Sequence, residues 1–350
     1  MFVPLLFWGA LFITGALAAS GVALWESIRL GLRKSPGLIQ QPRASCRYNR
    51  GGRRRKDPFL ANRHFGNLAD VFKHLVLCQT LGRMRPTEYW ESHAGSALYD
   101  EATPIPTERA HGIHTFCKLA ATLPALRSTP YARALGPAVP LPQIPGSPLL
   151  ARRILGEGVR RMLLCDTDAD SLHSIQKCLR ATAGQRELAP EALECVQDDG
   201  ITVLRGAGML LPEPWKPAAL AFIDPYDITE NSAAGITPLE LACELANRSI
   251  AALVFYAFPD EAGRARTADI ILQTLTKSRL MHRSSRFEGC LQLPAEGAPT
   301  QWGFGMLALR LAPEILDEIH QLLRTLEAAY RDVPLTTPAV SGAWTCRRMG

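Results

Sequence analysis

Apolar positions along the chain fall into two alternating rhythms, and their order predicts the fold. From residue 64 onward, short apolar runs alternate with stretches whose apolar positions recur every three to four residues. Residues 67–83 have helical spacing, with Val71, Leu75 and Cys78 on one face. A strand at 88–92 follows and turns at His93-Ala94-Gly95. Further strands are predicted at 161–165, 194–197, 219–223 and 250–256, with helices at 148–158, 171–182, 238–247 and 264–277. Residues 290–293 and 302–311 read as an antiparallel pair, and 313–330 as a closing helix. Strand–helix alternation of this kind gives an α/β fold, a mostly parallel sheet with helices on both faces. Residues 97–145 break the rhythm: they are Pro-rich and irregular, with a helical patch near 113–123, and read as an inserted helical subdomain.

With 350 residues and 47% hydrophobic content, the chain can bury a sizeable core. Its charge is unevenly spread. Residues 1–25 carry none, residues 26–63 hold eleven Lys/Arg against Glu26 and Asp57, and residues 64–350 carry 28 basic and 31 acidic side chains. The overall +6 therefore combines a +9 arm with a body near −3, which excludes a protein that coats nucleic acid with its whole surface. Nine scattered cysteines, never in a C-x-x-C pair, fit reduced thiols in a cytoplasmic protein better than a zinc site or a disulfide framework.

Four segments follow. Residues 1–25 are a hydrophobic segment long enough to cross a bilayer, and the basic residues after it would hold the rest of the chain in the cytoplasm. The same stretch also reads as the product of an unused upstream start, or as a cleaved signal with Ala16-Leu17-Ala18 at its end. Residues 26–60 are a basic linker whose Gly51-Gly52-Arg53-Arg54-Arg55-Lys56 run suits phosphates or anionic lipid. Residues 61–335 are expected to form one α/β domain carrying the insertion at about 97–145, and 336–350 a tail.

Ligands of open α/β sheets bind beyond the carboxyl ends of the strands. Those ends read Ser92-His93-Ala94-Gly95, Cys165-Asp166, Asp198-Asp199-Gly200 and Asp224-Pro225-Tyr226-Asp227. A glycine turn lets a cofactor approach the backbone, an acid after the second strand suits ribose hydroxyls, and an acid after the third suits an adenine amine. There is no G-x-G-x-x-G after the first strand and no Walker lysine loop, which disfavours nicotinamide and nucleoside-triphosphate chemistry. Asp224-Pro225-Tyr226 suits methylation of an exocyclic amine. A carboxylate and a neighbouring carbonyl accept the two N–H groups and an aromatic ring stacks on the base.

At this point the chain resembles the bacterial 23S ribosomal RNA adenine-N6 methyltransferases, which use S-adenosylmethionine. His64-Phe65-Gly66-Asn67-Leu68-Ala69-Asp70-Val71-Phe72-Lys73-His74 is similar to the family's H-A-G-N-x-A-D-V-x-K-H. Ser92-His93-Ala94-Gly95 is similar to T-H-A-G, Pro145-Gly146-Ser147-Pro148-Leu149-Leu150-Ala151 to P-G-S-P-L-I-A, Asp199-Gly200 to D-G, and Ile223-Asp224-Pro225 to the start of I-D-P-P-Y. The resemblance implies a class I, Rossmann-like methyltransferase fold. It also implies cofactor contacts from Lys73, His74, His93, Gly95, Ser147, Asp166, Asp199 and Gly200, and catalysis by Asp224 with Pro225 and Tyr226. Ser147 is expected to cap the helix that starts at Pro148. The chain departs from the family where Ala97 replaces a glycine, where D-P-Y-D replaces D-P-P-Y, where Asp166 replaces Glu, and where Phe59-Leu60-Ala61 replaces Tyr-Arg-His. The implied partner is large-subunit ribosomal RNA and no metal is implied; a monomer is assumed, since the sequence does not predict the oligomeric state. Another RNA, DNA, or an inactive RNA-binding relative remain as alternatives.

Overall fold

The computed structural model describes residues 65–138, 140–180, 192–211, 219–293, 300–331, 333 and 344–349. The hydrophobic segment, the basic linker and most of the tail lie outside the described residues. No helix among the described residues is long and apolar enough to cross a membrane.

The domain opens with α1 (Leu68–Met84). Asn67 caps it by accepting from the Asp70 N–H at 3.0 Å, and Asp70 in the first turn suits the positive end of the helix. Arg85, in the left-handed region at φ 49°, closes it by donating its N–H to the Leu81 carbonyl. Then β1 (Glu88–Glu91) enters the sheet centre. The segment between β1 and β4 begins with β2 (Leu98–Asp100) and a turn at Thr107–Arg109. A π-helical turn at Ala110–His114 follows, then α2 (Thr115–Thr122), α3 (Pro124–Arg127) and α4 (Pro130–Leu135). It ends with β3 (Gln143–Pro145), paired antiparallel with β2. After α5 (Ser147–Leu155) the alternation is regular: β4 (Arg161–Asp166), α6 (Ala169–Arg180), β5 (Leu193–Gln197), α7 (Gly200–Leu210) and β6 (Ala219–Ile223). It continues through α8 (Pro238–Asn247), β7 (Ala251–Phe258), α9 (Glu261–Lys277), β8 (Ser284–Leu293), β9 (Thr300–Leu309), α10 (Pro313–Arg331) and β10 (Trp344–Met349).

Eight strands form one sheet in the order β10-β8-β9-β7-β6-β1-β4-β5. The five strands from β7 to β5 are parallel, and β9 runs antiparallel between β7 and β8. Five parallel strands followed by an antiparallel hairpin is the class I, Rossmann-like methyltransferase topology, as expected. Its switch point lies between β1 and β6, where the chain leaves one half of the sheet for the other. One core packs α1, α5, α6 and α10 on one face, and a second packs α7, α8 and α9 on the other. Both are built from alternate strand residues. On β1, Tyr89 joins the first core and Trp90 the second.

Three local expectations are corrected. Helix α7 had no counterpart in the apolar pattern, because Gly200, Gly206 and Gly208 weaken its helical signal. Strand β8 begins six residues before its predicted start at 290. Residues 344–349 form an edge strand on β8 where no element was expected.

Candidate functional site

The carboxyl ends of β1, β4, β5 and β6 converge on one edge, and the loops that leave them are tied together. The loop after β1 is anchored on both sides: Ser92 N–H donates to the Phe222 carbonyl (3.2 Å) and Ala94 N–H to that of Cys165 (2.9 Å). Gly95 takes φ +59°, and its N–H donates to Asp166 Oδ2 at 2.8 Å. A Cβ there would lie 2.5 Å from the Tyr99 hydroxyl, so position 95 is closed to side chains by conformation and by space. Asp166 Oδ1 accepts from the Asp168 N–H (2.9 Å), so Asp166 ties the β1 and β4 loops together while keeping acceptor capacity for a ligand. His93 is exposed, with Nδ1 2.8 Å from Ser92 Oγ.

Asp199 begins α7 as its N-cap, accepting from Ile201 N–H at 3.1 Å and from Thr202 Oγ1 at 2.6 Å. The same carboxylate accepts from Ala233 N–H at 3.0 Å, fastening the long loop that follows β6. Gly200 acts by close approach. A Cβ there would sit 1.9 Å from the Ser92 carbonyl oxygen, so only glycine lets α7 begin against the end of β1.

Asp224 leaves β6 facing Lys73. Lys73 Nζ lies 2.8 Å from Asp224 Oδ2 and 2.8 Å from Asp70 Oδ1, and 5.2 Å from the centre of the Phe255 ring. Burial by itself would lower the Lys73 pKa, but Asp224 and Asp70 outweigh it and hold the ammonium charged well above its ordinary range. Asp70 is reciprocally held below the usual carboxylate range: burial pushes it up, and Lys73 and His74 pull it further down. Lys73, expected beside the cofactor, is an ammonium clamped between two carboxylates, one of them Asp224. His74 is 8% exposed and meets Tyr131 of α4 at 6.0 Å. Burial and the Lys73 charge depress its pKa to about 4, so it is neutral at pH 7. Neither residue lies on a solvated helix face. Pro225 is buried, whereas Tyr226 is 79% exposed.

Ser147 does not cap α5. Gly146 occupies the N-cap position without a side-chain bond. The Ser147 hydroxyl instead donates to Glu91 Oε2 at 3.0 Å, because Glu91 ends β1 fully buried beneath this turn. Tyr89 also donates to Glu91. Burial dominates these two favourable bonds and pushes the Glu91 carboxyl up to about 8.

Sequence reasoning missed Glu91 and also missed a brace at the start of α1. Phe65 stacks on Tyr99 at 4.5 Å, and the Arg109 guanidinium lies 3.6 Å from the centre of the Phe65 ring. Arg109 and His114 both bind Glu101, at 2.8 and 2.6 Å. Through Tyr99, whose hydroxyl accepts the Ser96 N–H at 2.9 Å, this brace reaches the Gly95 loop. A buried Glu among apolar residues on β1 was the available signal for Glu91. The brace had none, because it joins residues up to 49 apart in an irregular segment.

Among the sequence-predicted residues, the structure gathers Lys73, His93, Gly95, Asp166, Asp199, Gly200, Asp224, Pro225 and Tyr226 around one sheet edge. Ser147 and His74 stand behind it, packed into the interior. Asp166, Asp168, Asp198, Asp199, Asp224 and Asp227 make the edge acidic.

No family model and no curated protein matches the sequence. Among solved structures, protein LPL1258 from Legionella pneumophila is similar at 23% identity and a TM-score of 0.60, covering 82% of this chain and 98% of that one. An rRNA methylase from Streptococcus thermophilus is 11% identical, covering 69% of this chain and 95% of its own, at a TM-score of 0.30. Human N-acetylserotonin methyltransferase, solved in complex with SAM, is 10% identical, covering 70% and 54%, at 0.28. The first of these likenesses supports the fold, and at such identities none reaches further.

Proposed function

We propose that the protein is an S-adenosylmethionine-dependent methyltransferase acting on the N6 amine of an adenine, with large-subunit ribosomal RNA as its substrate. The observation that carries this reading is the Asp224–Lys73–Asp70 arrangement at the switch point, one sheet edge shared with the Gly95 loop. The donor set fits the cofactor. Gly95 offers a backbone surface free of Cβ, Asp166 and Asp199 offer acceptors for ribose hydroxyls and an adenine amine, and the acidic edge complements a sulfonium cation. When bound, the cofactor supplies an electrophilic methyl group.

The chain's own residues prepare the acceptor. The N6 lone pair of adenine is delocalised into the ring, so the amine is a poor nucleophile. Asp224 and the Pro225 carbonyl accept its two N–H groups and localise electron density on nitrogen. Lys73 fixes the Asp224 carboxylate in place, and Asp70 fixes Lys73. Tyr226, exposed beside Pro225, stacks on the base once it has left its helix. Transfer would break the methyl–sulfur bond as the N–C bond forms, the sulfonium leaving as a neutral thioether, and one amine proton would pass to Asp224 or solvent. Such positioning contributes through near-attack geometry more than through acid–base chemistry.

Calorimetric titration with S-adenosylmethionine tests the cofactor half of this reading. Wild-type protein is expected to bind one equivalent, and Asp166→Ala to bind about tenfold more weakly, the loss of one charge-assisted hydrogen bond. Absence of any binding heat from folded wild-type protein would sink the reading.

A further inference from the structure

The opposite edge of the sheet carries a different chemistry. Three connections meet there: α8 to β7, α9 to β8, and β9 to α10. They bring Arg248, Arg279, Arg283 and Arg310 together through backbone and side-chain bonds. Arg310 N–H donates to the Arg283 carbonyl at 2.8 Å, and Arg310 Nη2 to Ser249 Oγ at 2.9 Å. Asn247 Nδ2 donates to the Ser278 carbonyl at 3.3 Å, joining the turns that hold Arg248 and Arg279. Arg248, Arg279 and Arg283 are exposed and Arg310 is half-buried. None of the four pairs with a carboxylate among the described residues; Arg283 donates to His282 instead. Burial and the nearby Arg283 charge both lower the Arg310 pKa, which marks like charges held close.

Backbone conformation points the same way. Four non-glycine residues in the described chain have positive φ: Arg85, Ser249, Arg279 and Arg310. All four lie at this edge, and three are arginine. Positions after a helix or strand that need φ near +57° are normally glycine, because an L side chain there costs about 1 kcal/mol or more. Arginine at Arg279 and Arg310 (both φ 57°) is therefore retained against a local cost. Neutralising helix dipoles does not account for the cluster. The C-termini of α8 and α9 bring about −0.5 charge each, against four guanidiniums and Lys277. The neighbouring cleft of about 890 Å³, lined by Arg83, Arg85, Arg133 and Arg153, is different. There Arg85, Arg133 and Arg153 donate to the carbonyls of Ile154, Ser128 and Ala134 at helix ends, which accounts for their presence.

We infer that Arg248, Arg279, Arg283 and Arg310 form a docking site for the phosphodiester backbone of a folded RNA, separate from the methyl-transfer edge. Helix α9 spans the two edges, so its 17 residues place the sites about 25 Å apart. The arginines thus hold a segment of RNA remote from the target adenine. They supply attraction that the acidic acceptor edge withholds. The partner's identity as RNA rests on the proposed function; the anion site itself does not.

The test is fluorescence anisotropy of a labelled RNA hairpin with the full-length chain, over about 50 to 200 mM salt. Arg279→Gly/Arg310→Gly is compared with wild type. Both substitutions place glycine where the backbone favours it, so the melting temperature is expected to hold or rise. RNA affinity is expected to fall about tenfold, and the slope of log K against log salt to become shallower by about two, near 0.9 for each lost phosphate contact. The basic arm at residues 26–63 is present in both proteins, so the difference isolates the patch. Unchanged affinity and slope would overturn the inference. So would a variant that keeps RNA binding and loses binding to phosphatidylserine vesicles, which would make the patch a lipid site. Cofactor titration of the same two proteins is expected to match. Failure of wild type to bind cofactor would count against the methyltransferase reading, while the anisotropy still reports on the arginines.

Discussion

Glu91 is the residue whose chemistry most separates this site from a generic sheet edge. It lies fully buried between the hydroxyls of Tyr89 and Ser147, beneath the turn that carries His93 and Gly95. With its carboxyl pushed up to about 8, it is protonated at pH 7 in the folded protein, whereas the unfolded chain ionises near the ordinary value of 4.5. Between these values the native state binds the extra proton, so stability falls as pH rises and levels off above pH 8. Glu91→Gln keeps the neutral shape and removes the titration. Its melting temperature should therefore decline less than that of wild type between pH 5 and pH 9, by at least about 3 °C. Thermal scans across that range check it, and parallel declines would contradict it. Several single residues were legible in the sequence. Asp166 ends β4, and Asp224 and Gly95 lie in the loops after β6 and β1, where topology alone places ligand-binding groups. The roles of Ser147 and Lys73 were not, because a hydroxyl at a helix start and a lysine on a helix reveal nothing of a carboxylate contributed by a strand 56 or 151 residues away.

At the scale of elements, α7 shows how the sheet edge is assembled and why pattern reading passed it over. Its sequence, GITVLRGAGML, mixes three glycines with β-branched residues. It is helical because Asp199 caps it and because Leu204 and Ile201 are buried against the second core. Packing here overrides propensity. Two of its glycines give opposite expectations. Gly200→Ala drives a methyl into the Ser92 carbonyl and should destabilise by about 1–3 kcal/mol. A methyl group at Gly206 would meet nothing within 4 Å, so Gly206→Ala should stabilise by about 0.5–1 kcal/mol. Urea midpoints of the two variants measure both signs; a stabilising Gly200→Ala would contradict the close approach. The strands were read well because β4, β6 and β7 are continuous apolar runs buried on both faces. The three-residue strands β2 and β3, and the edge strand β10, carried too little pattern to be seen. They exist through pairing with a neighbour.

At the scale of the molecule, charge is polarised across the sheet. Aspartates gather where strands end in parallel, and arginines gather where they begin. The sequence shows the +9 arm and the −3 body but not this division. Arg248 and Arg310 stand 62 positions apart, and only the register of β7, β9 and β8 joins them. The near-neutral body is thus two opposed surfaces, an acidic one suited to a cationic cofactor and a basic one suited to phosphates. The proposed methyl transfer at Asp224 is an activity that both surfaces would serve. Its most direct measurement incubates the protein with methyl-labelled S-adenosylmethionine and ribosomal RNA from cells lacking the protein, then digests the RNA and assays labelled N6-methyladenosine. Wild type is predicted to deposit label in that nucleoside, and Asp224→Ala to deposit less than about one-hundredth as much, the loss of an acceptor that strengthens in the transition state. No label with wild type, or equal label with Asp224→Ala, would contradict methyl transfer at this site.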